Sequence, residues 1–144
     1  MRIDVSQPVA APQALVFRHL ADFDRLAGRV GSGAVAIHGR EPQWTARVHL
    51  HGVERTGHLR LARLDAPSFY AVEGGIEGVA AVLAVKVAPD GPDQSRIDLA
   101  LEARPASLRG RLILQTLRLM QHRLTERLAA RLAAFAREIE DAWR

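Results

Sequence analysis

Three histidines raise the first chemical question in this sequence. His49 and His51 are two residues apart, and a tight turn near Glu54-Arg55 would bring His58 opposite His51 and Arg60 opposite His49. Three imidazoles on one face of a strand pair have a spacing that could hold zinc. Arg47 and Arg60 would stand among them and repel a cation, so the pattern favours a solvent-facing basic strip of weak pH sensitivity, with no metal. The chain has no cysteine, which excludes thiolate zinc sites, disulfides, thiol nucleophiles and CxxCH haem attachment.

The remaining proton carriers are scattered. Glu73 and Glu77 invite reading as a carboxylate pair, but Gly74-Gly75 between them leaves their relative orientation open, and a bend bearing two solvated acids is the simpler account. Tyr70 and Glu73 point to opposite sides of one strand, and whichever faces inward is the best polar anchor for a ligand. His38 reads as a polar residue near a strand end. His19 and His122 each stand on a predicted helix beside an arginine, as surface positions do. Trp44 suits either stacking on an aromatic ligand or filling the core.

Composition limits the partners. With 144 residues, a single domain spanning 1–144 can bury a core of its own. The net charge is +4, yet nineteen of the twenty basic residues are arginine and Lys86 is the only lysine. That bias resembles the codon drift of a GC-rich genome more than selection for phosphate. Nucleic acid is not expected as a partner, because aromatics are only 5% of the chain and no basic patch interleaved with them is present. The opening Met1–Ser6 lacks an apolar run of signal-peptide length, and no stretch approaches a membrane span, so a cytoplasmic location is expected.

The elements that would position these residues follow from periodicity. Leu117, Met120, Leu124, Leu128, Leu132, Phe135 and Ile139 recur at three and four, one stripe of a helix running from a Ser107 cap to about Trp143. At about 1.5 Å per residue that helix is a rod of roughly 55 Å, which needs a partner surface. Leu112, Ile113, Leu114 and Leu119 are apolar off the stripe, so its first half is expected to be the more widely enclosed. Its arginine-rich side reads as solvated, because the stripe is taken by the sheet. Residues 2–9 alternate as a strand, and two short helices follow, one after Pro12 and one capped by Asp22, closed by Gly31-Ser32-Gly33. Then the period changes to two. Residues 34–40, Trp44–His51, Leu59–Leu61, Phe69–Glu73, Gly78–Val87 and Ile97–Arg104 read as strands, with turns at Asp65-Ala66-Pro67 and Pro89–Asp93. A hairpin centred on Glu54-Arg55 would pair Leu50 with Leu59 and Val48 with Leu61.

Several stretches carry a resemblance over nearly the whole length. They are Val9–Phe17 followed by Leu20-Ala21-Asp22, Leu64–Pro67 with Tyr70 and Glu73-Gly74 after it, Val87–Gly91, and Arg123-Leu124 to Phe135. In these and in its element order the chain is similar to the SRPBCC superfamily, also called START-like or polyketide cyclase-like. It looks most like small bacterial stand-alone members, such as polyketide cyclases and the small SRPBCC protein associated with carbon monoxide dehydrogenase. The resemblance implies an α+β helix-grip fold, with a curved seven-stranded antiparallel sheet wrapped around a long C-terminal helix and two short helices after the first strand. It also implies a cavity between sheet and helix for a small hydrophobic or aromatic molecule, lipid- or polyketide-like.

Strand alternation then says what would line such a cavity. The inward set is Trp44, Val48, Leu50, Leu59, Leu61, Leu83, Val85, Ile97, Leu99 and Leu101, facing Ile113, Leu117, Met120 and Leu124, with Tyr70 as the candidate polar anchor. No ionisable group belongs to the apolar set, and general acid–base catalysis needs one within reach of the reacting atom. Binding without reaction, with no cofactor, is therefore the leading expectation. The alternatives are a polyketide cyclase or dehydratase using Tyr70, Glu73 or His38, and an accessory protein that delivers a larger enzyme to the membrane. A homodimer through a free sheet edge or through Leu114 and Leu119 is also open to the chain.

Overall fold

The computed structural model describes residues 1–30, 35–50 and 52–144. Its elements run β1 (Arg2–Val9), α1 (Gln13–Leu20), α2 (Phe23–Val30), β2 (Val35–Arg40), β3 (Gln43–Leu50), β4 (Val53–Asp65), β5 (Phe69–Ile76), β6 (Val79–Pro89), β7 (Ser95–Pro105), α3 (Leu108–Leu119) and α4 (Gln121–Trp143). The seven strands form one antiparallel sheet in the order β1-β7-β6-β5-β4-β3-β2. This is the α+β helix-grip arrangement, with both sheet edges, β1 and β2, formed by the earliest strands. Among the described residues no helix is long and apolar enough to cross a membrane.

Local chemistry explains the element ends. Asp22 accepts from the Arg25 N–H at 3.4 Å to start α2, and Ser107 Oγ accepts from the Gly110 N–H at 3.1 Å to start α3. The β5–β6 connection is the two-residue turn Glu77-Gly78, both with positive φ, as a tight hairpin of this twist requires. Gly74-Gly75, expected as a bend, lies inside β5, and the irregularity falls in β4 between Leu61 and Arg63 instead.

The β3–β4 hairpin corrects the expected register. Leu50 faces Val53 and His49 faces Glu54, so Glu54 belongs to the paired strand and the hairpin is not centred on Glu54-Arg55. Trp44, not Leu50, is opposite Leu59. The slip along β3 is an even number of residues, so Trp44, Val48 and Leu59 keep a common face. Alternation fixes which face a side chain takes, and it leaves the partner to the turn.

The C-terminal rod is also corrected, because Met120 (φ −101°, ψ 4°) divides it into α3 and α4. The two halves pack on different surfaces, α4 along β1 and α3 across β6 and β7. Contrary to expectation the first half is the less enclosed: Leu112 and Leu119 are 65% and 88% exposed, and only Gly110 and Leu114 are buried in α3. The tightly packed core lies at the other end. Val5, Val9, Val16, Phe17, Val85, Val87, Ile97 and Leu99 meet Leu132, Ala136 and Ile139 of α4 there. Ser95, the buried polar residue of this core, donates to the Ala11 carbonyl at 2.9 Å.

Candidate functional site: an apolar hollow under the helices

The inner face of the sheet is built in rows of directly opposed residues. One row runs Val5, Leu99, Val85, Tyr70, and all four are buried. Two positions along each strand lies Ile3, Leu101, Leu83, Val72, Leu61. Two further on the row becomes Ala103, Ala81, Gly74, Leu59, Trp44. Three small residues in succession leave the sheet floor low where α2 and the α3–α4 junction pass over it. A hollow results from side chains that stop short, with no distortion of the backbone.

Two adjoining spaces occupy it. One, of about 310 Å³, lies between the sheet and α2 and is lined by Phe23, Leu26, Ala27, Ile37, Trp44, Leu59, Tyr70, Val72, Gly74, Ala81, Leu83 and Leu101. The other, of about 590 Å³, lies beneath the α3–α4 junction between Met1, Ile3, Val35, Val79, Ala81, Leu101, Ala103, Leu117, Leu124 and Leu128. Ala81 and Leu101 belong to both walls. Arg127 and Arg131 of α4 stand at the rim of the second. These volumes suit a small ligand.

Of the residues expected to line the cavity, Trp44, Leu59, Tyr70, Leu83, Leu101, Leu117 and Leu124 stand around these spaces. Val85 and Leu99 are instead in the packed core, and Leu61 packs against that core. Val48 and Ile113 are half-buried outside both linings. Met120 is exposed at the helix break, where the change of direction takes it off the inward stripe. The side chain of Leu50, together with His51 and Gly31-Ser32-Gly33, lies outside the described residues. The α2 wall, Phe23, Leu26 and Ala27, escaped sequence reasoning because that short helix carries no alternation to link it to a strand. The small residues Gly74, Ala81 and Ala103 were missed because a side chain that is absent leaves no mark in an apolar pattern.

Tyr70 faces inward and Glu73 outward. The Tyr70 hydroxyl donates to the Leu20 carbonyl at 2.8 Å, and burial pushes its pKa well above the ordinary tyrosine value. Its ring meets Phe17 and Phe23 edge-on, at centroid distances of 6.1 and 5.0 Å. Trp44 lies 5.5 Å from Phe23, and its Nε1–H is the buried side-chain polar atom without a hydrogen-bond partner among the described residues.

The other candidate groups lie elsewhere. His38, His58, Arg60 and Glu73 surround a polar depression on the outer face, where Glu73 and Arg60 form an ion pair at 2.5 Å. The register sets His58 opposite Thr45 and His49 opposite Glu54, so the expected pairing of His49 with Arg60 is not formed, and the expected pairing of His51 with His58 lies outside the described residues. Among the described residues no three metal-ligating side chains come together. His122 is exposed and bonded to Glu126 at 2.9 Å, and His19 is half-buried. The shifted hairpin also brings Arg55 onto the inner face opposite Val48, where Glu77 pairs with it at 3.2 Å and with Arg109 at 3.3 Å.

The roof is positioned by contact between two glycines. The Ala106 N–H donates to the Gly78 carbonyl at 2.7 Å, and a Cβ on Gly110 would fall 1.8 Å from that same oxygen. Only a glycine at position 110 lets the first turn of α3 sit down on the β5–β6 turn.

Residues 1–140 match the family described as "Polyketide cyclase / dehydrase and lipid transport". The chain belongs to this family. No relative was found among curated proteins. Among solved structures the chain is similar to a Thermus thermophilus protein, TTHA0849, with a TM-score of 0.67 at 15% identity and 100% of both chains covered. It is also similar to the Zhui aromatase/cyclase from Streptomyces sp. R1128, with a TM-score of 0.65 at 16% identity over 95% of this chain and 93% of that one. A conserved protein from Geobacillus kaustophilus gives 0.62 at 13% identity, over 100% of this chain and 98% of the other. At such identities the likenesses show the fold of this polyketide cyclase/lipid transport family member, whose role is of ligand-binding or cyclase type.

Proposed function

We propose that this family member is a cytoplasmic carrier or binding module, holding one small, predominantly apolar molecule in the hollow between the Leu59–Gly74–Ala81–Ala103 row, α2 and the α3–α4 junction. The observation that carries the reading is the lining of the inner space, in which the Tyr70 hydroxyl is the only titratable group among the described residues. Burying an apolar molecule there gains roughly 25 cal/mol for each Å² removed from water, with no charge to desolvate. A polar end would rest at the mouth beside Arg127 and Arg131, and an acceptor atom near Trp44 would relieve its unpaired N–H.

A cyclase or dehydratase would need a proton carrier at the reacting atom. Tyr70 is the inward candidate, and it is poorly suited: its proton is committed to the Leu20 carbonyl and its ionised form is disfavoured by burial. His38 is exposed on the outer face and Glu73 is held there by Arg60. Binding without reaction is therefore the better supported of the two family roles.

Native mass spectrometry of the purified chain tests the proposal. The expected spectrum shows a co-purified small molecule, or 1:1 uptake of an added apolar compound. A homogeneous empty chain that takes up no apolar compound would overturn it.

A further inference from the structure

The outer face of α3 carries exposed leucines with Gln115 among them, and has nothing packed on it among the described residues. Leu108, Leu112 and Leu119 are 78%, 65% and 88% exposed, and at 100° per residue they fall within about 40° of one another around the helix. They lie opposite Gly110, Leu114 and Leu117, which face the protein. Helix α3 therefore carries leucines on two faces, of which the sheet uses one, and the free stripe is interrupted by Gln115 alone. Three leucines this exposed on one short helix are not scattered surface residues but a patch.

Charge says what covers it. Arg111 and Arg118 flank the stripe on one side and Arg109 on the other, and the chain has no acidic residue between Glu102 and Glu126. Among the described residues Arg111 and Arg118 have no carboxylate partner. Two copies meeting through this face would bring their arginines together, which opposes self-association. A flat surface that is apolar inside and anionic outside satisfies both features at once, with leucines at the acyl boundary and guanidinium groups among the phosphates.

We infer that the outer face of α3 docks this protein on anionic phospholipid membranes, the helix lying in the plane of the interface. The glycine contact and the Glu77 ion pair with Arg109 hold α3 firmly to the sheet, so the stripe is presented already formed. Docking places the α3–α4 junction, and the space beneath it, beside the bilayer, where an apolar molecule could pass between the two. The inference stands on the exposed face and does not require the hollow to be filled.

Vesicle flotation tests it, using phosphatidylcholine vesicles with and without phosphatidylglycerol. The wild-type chain is expected to float with the mixed vesicles and much less with phosphatidylcholine alone, and to be released by raised salt. Leu112→Glu with Leu119→Glu changes only exposed positions and should weaken flotation at least about tenfold, with circular dichroism unchanged. Arg111→Ser with Arg118→Ser should remove the preference for phosphatidylglycerol. Failure to float with either vesicle, equal flotation with both, or flotation unaffected by the double Glu variant would each overturn the inference. So would a concentration-dependent dimer that the double Glu variant abolishes without any lipid binding, which would make a second copy the occupant. Uptake of an apolar probe by the double Glu variant, measured in parallel, reports on the hollow separately.

Discussion

The two ends of the sheet's inner face share a backbone and differ in side-chain volume. At one end of the strands Val5, Leu99, Val85 and Tyr70 oppose one another across β1, β7, β6 and β5, and the second half of α4 closes on this core with Leu132, Ala136 and Ile139. At the other end the same strands present Ala103, Ala81 and Gly74, and the helices above meet open space where the first end meets methyl groups. Fold stability is concentrated where the row is full. The space that we propose for a guest lies where the row is short, and no extra element is needed to make it.

The comparison breaks first on stability. Ile97 is fully buried at the packed end, and Ile97→Ala should cost about 2–5 kcal/mol in urea unfolding, cavity included. Leu59→Ala, at a half-buried position already bordering empty space, should cost roughly 1 kcal/mol. Equal losses would mean that the two ends are packed alike.

A second prediction concerns what holds the roof over the short row. Gly110→Ala puts a methyl group against the Gly78 carbonyl, so α3 must lift, at a cost of about 1–3 kcal/mol. Hydrogen exchange should show faster opening in α3 while the buried half of α4 stays protected. Uniform loss of protection across both helices would contradict their separate packing.

The smallest effect comes from Tyr70, where the two ends meet. Its pKa is raised in the folded chain by burial, so above about pH 10 the unfolded chain releases a proton that the folded chain retains. Its contribution is complete below that pH and is lost as pH rises towards the folded value. The chain has one tyrosine, one lysine and no cysteine, so few other side chains titrate in that window. Tyr70→Phe should flatten the alkaline slope and cost about 1 kcal/mol at neutral pH through the lost bond to Leu20. An unchanged slope would show that Tyr70 ionises freely in the folded chain.

Much of the fold could be read from the sequence because it rests on periods and punctuation. The alternation of Ile97, Leu99 and Leu101, the Ser107 cap and the stripe from Leu124 to Ile139 each have one simple solution, and the structure adopts them. The β3–β4 register was not legible, since any even slip preserves the faces and only the turn chooses among them. Nor was the break at Met120, which no proline or glycine marks and which reflects two packing surfaces on a twisted sheet. Of the site, the large walls Trp44, Leu59, Leu83 and Leu101 were readable from alternation, while the floor of Gly74, Ala81 and Ala103 appears only once the strands are in register.

The central claim is that the short row makes a space which a small apolar molecule occupies. A fluorescence titration with N-phenyl-1-naphthylamine on the wild-type chain and on Ala81→Leu tests it most directly, because Ala81 borders both spaces. Saturable 1:1 binding by the wild type, weakened at least about tenfold in Ala81→Leu with the fold intact, is the predicted result. No binding by the wild type, or equal binding by the two chains, would contradict it.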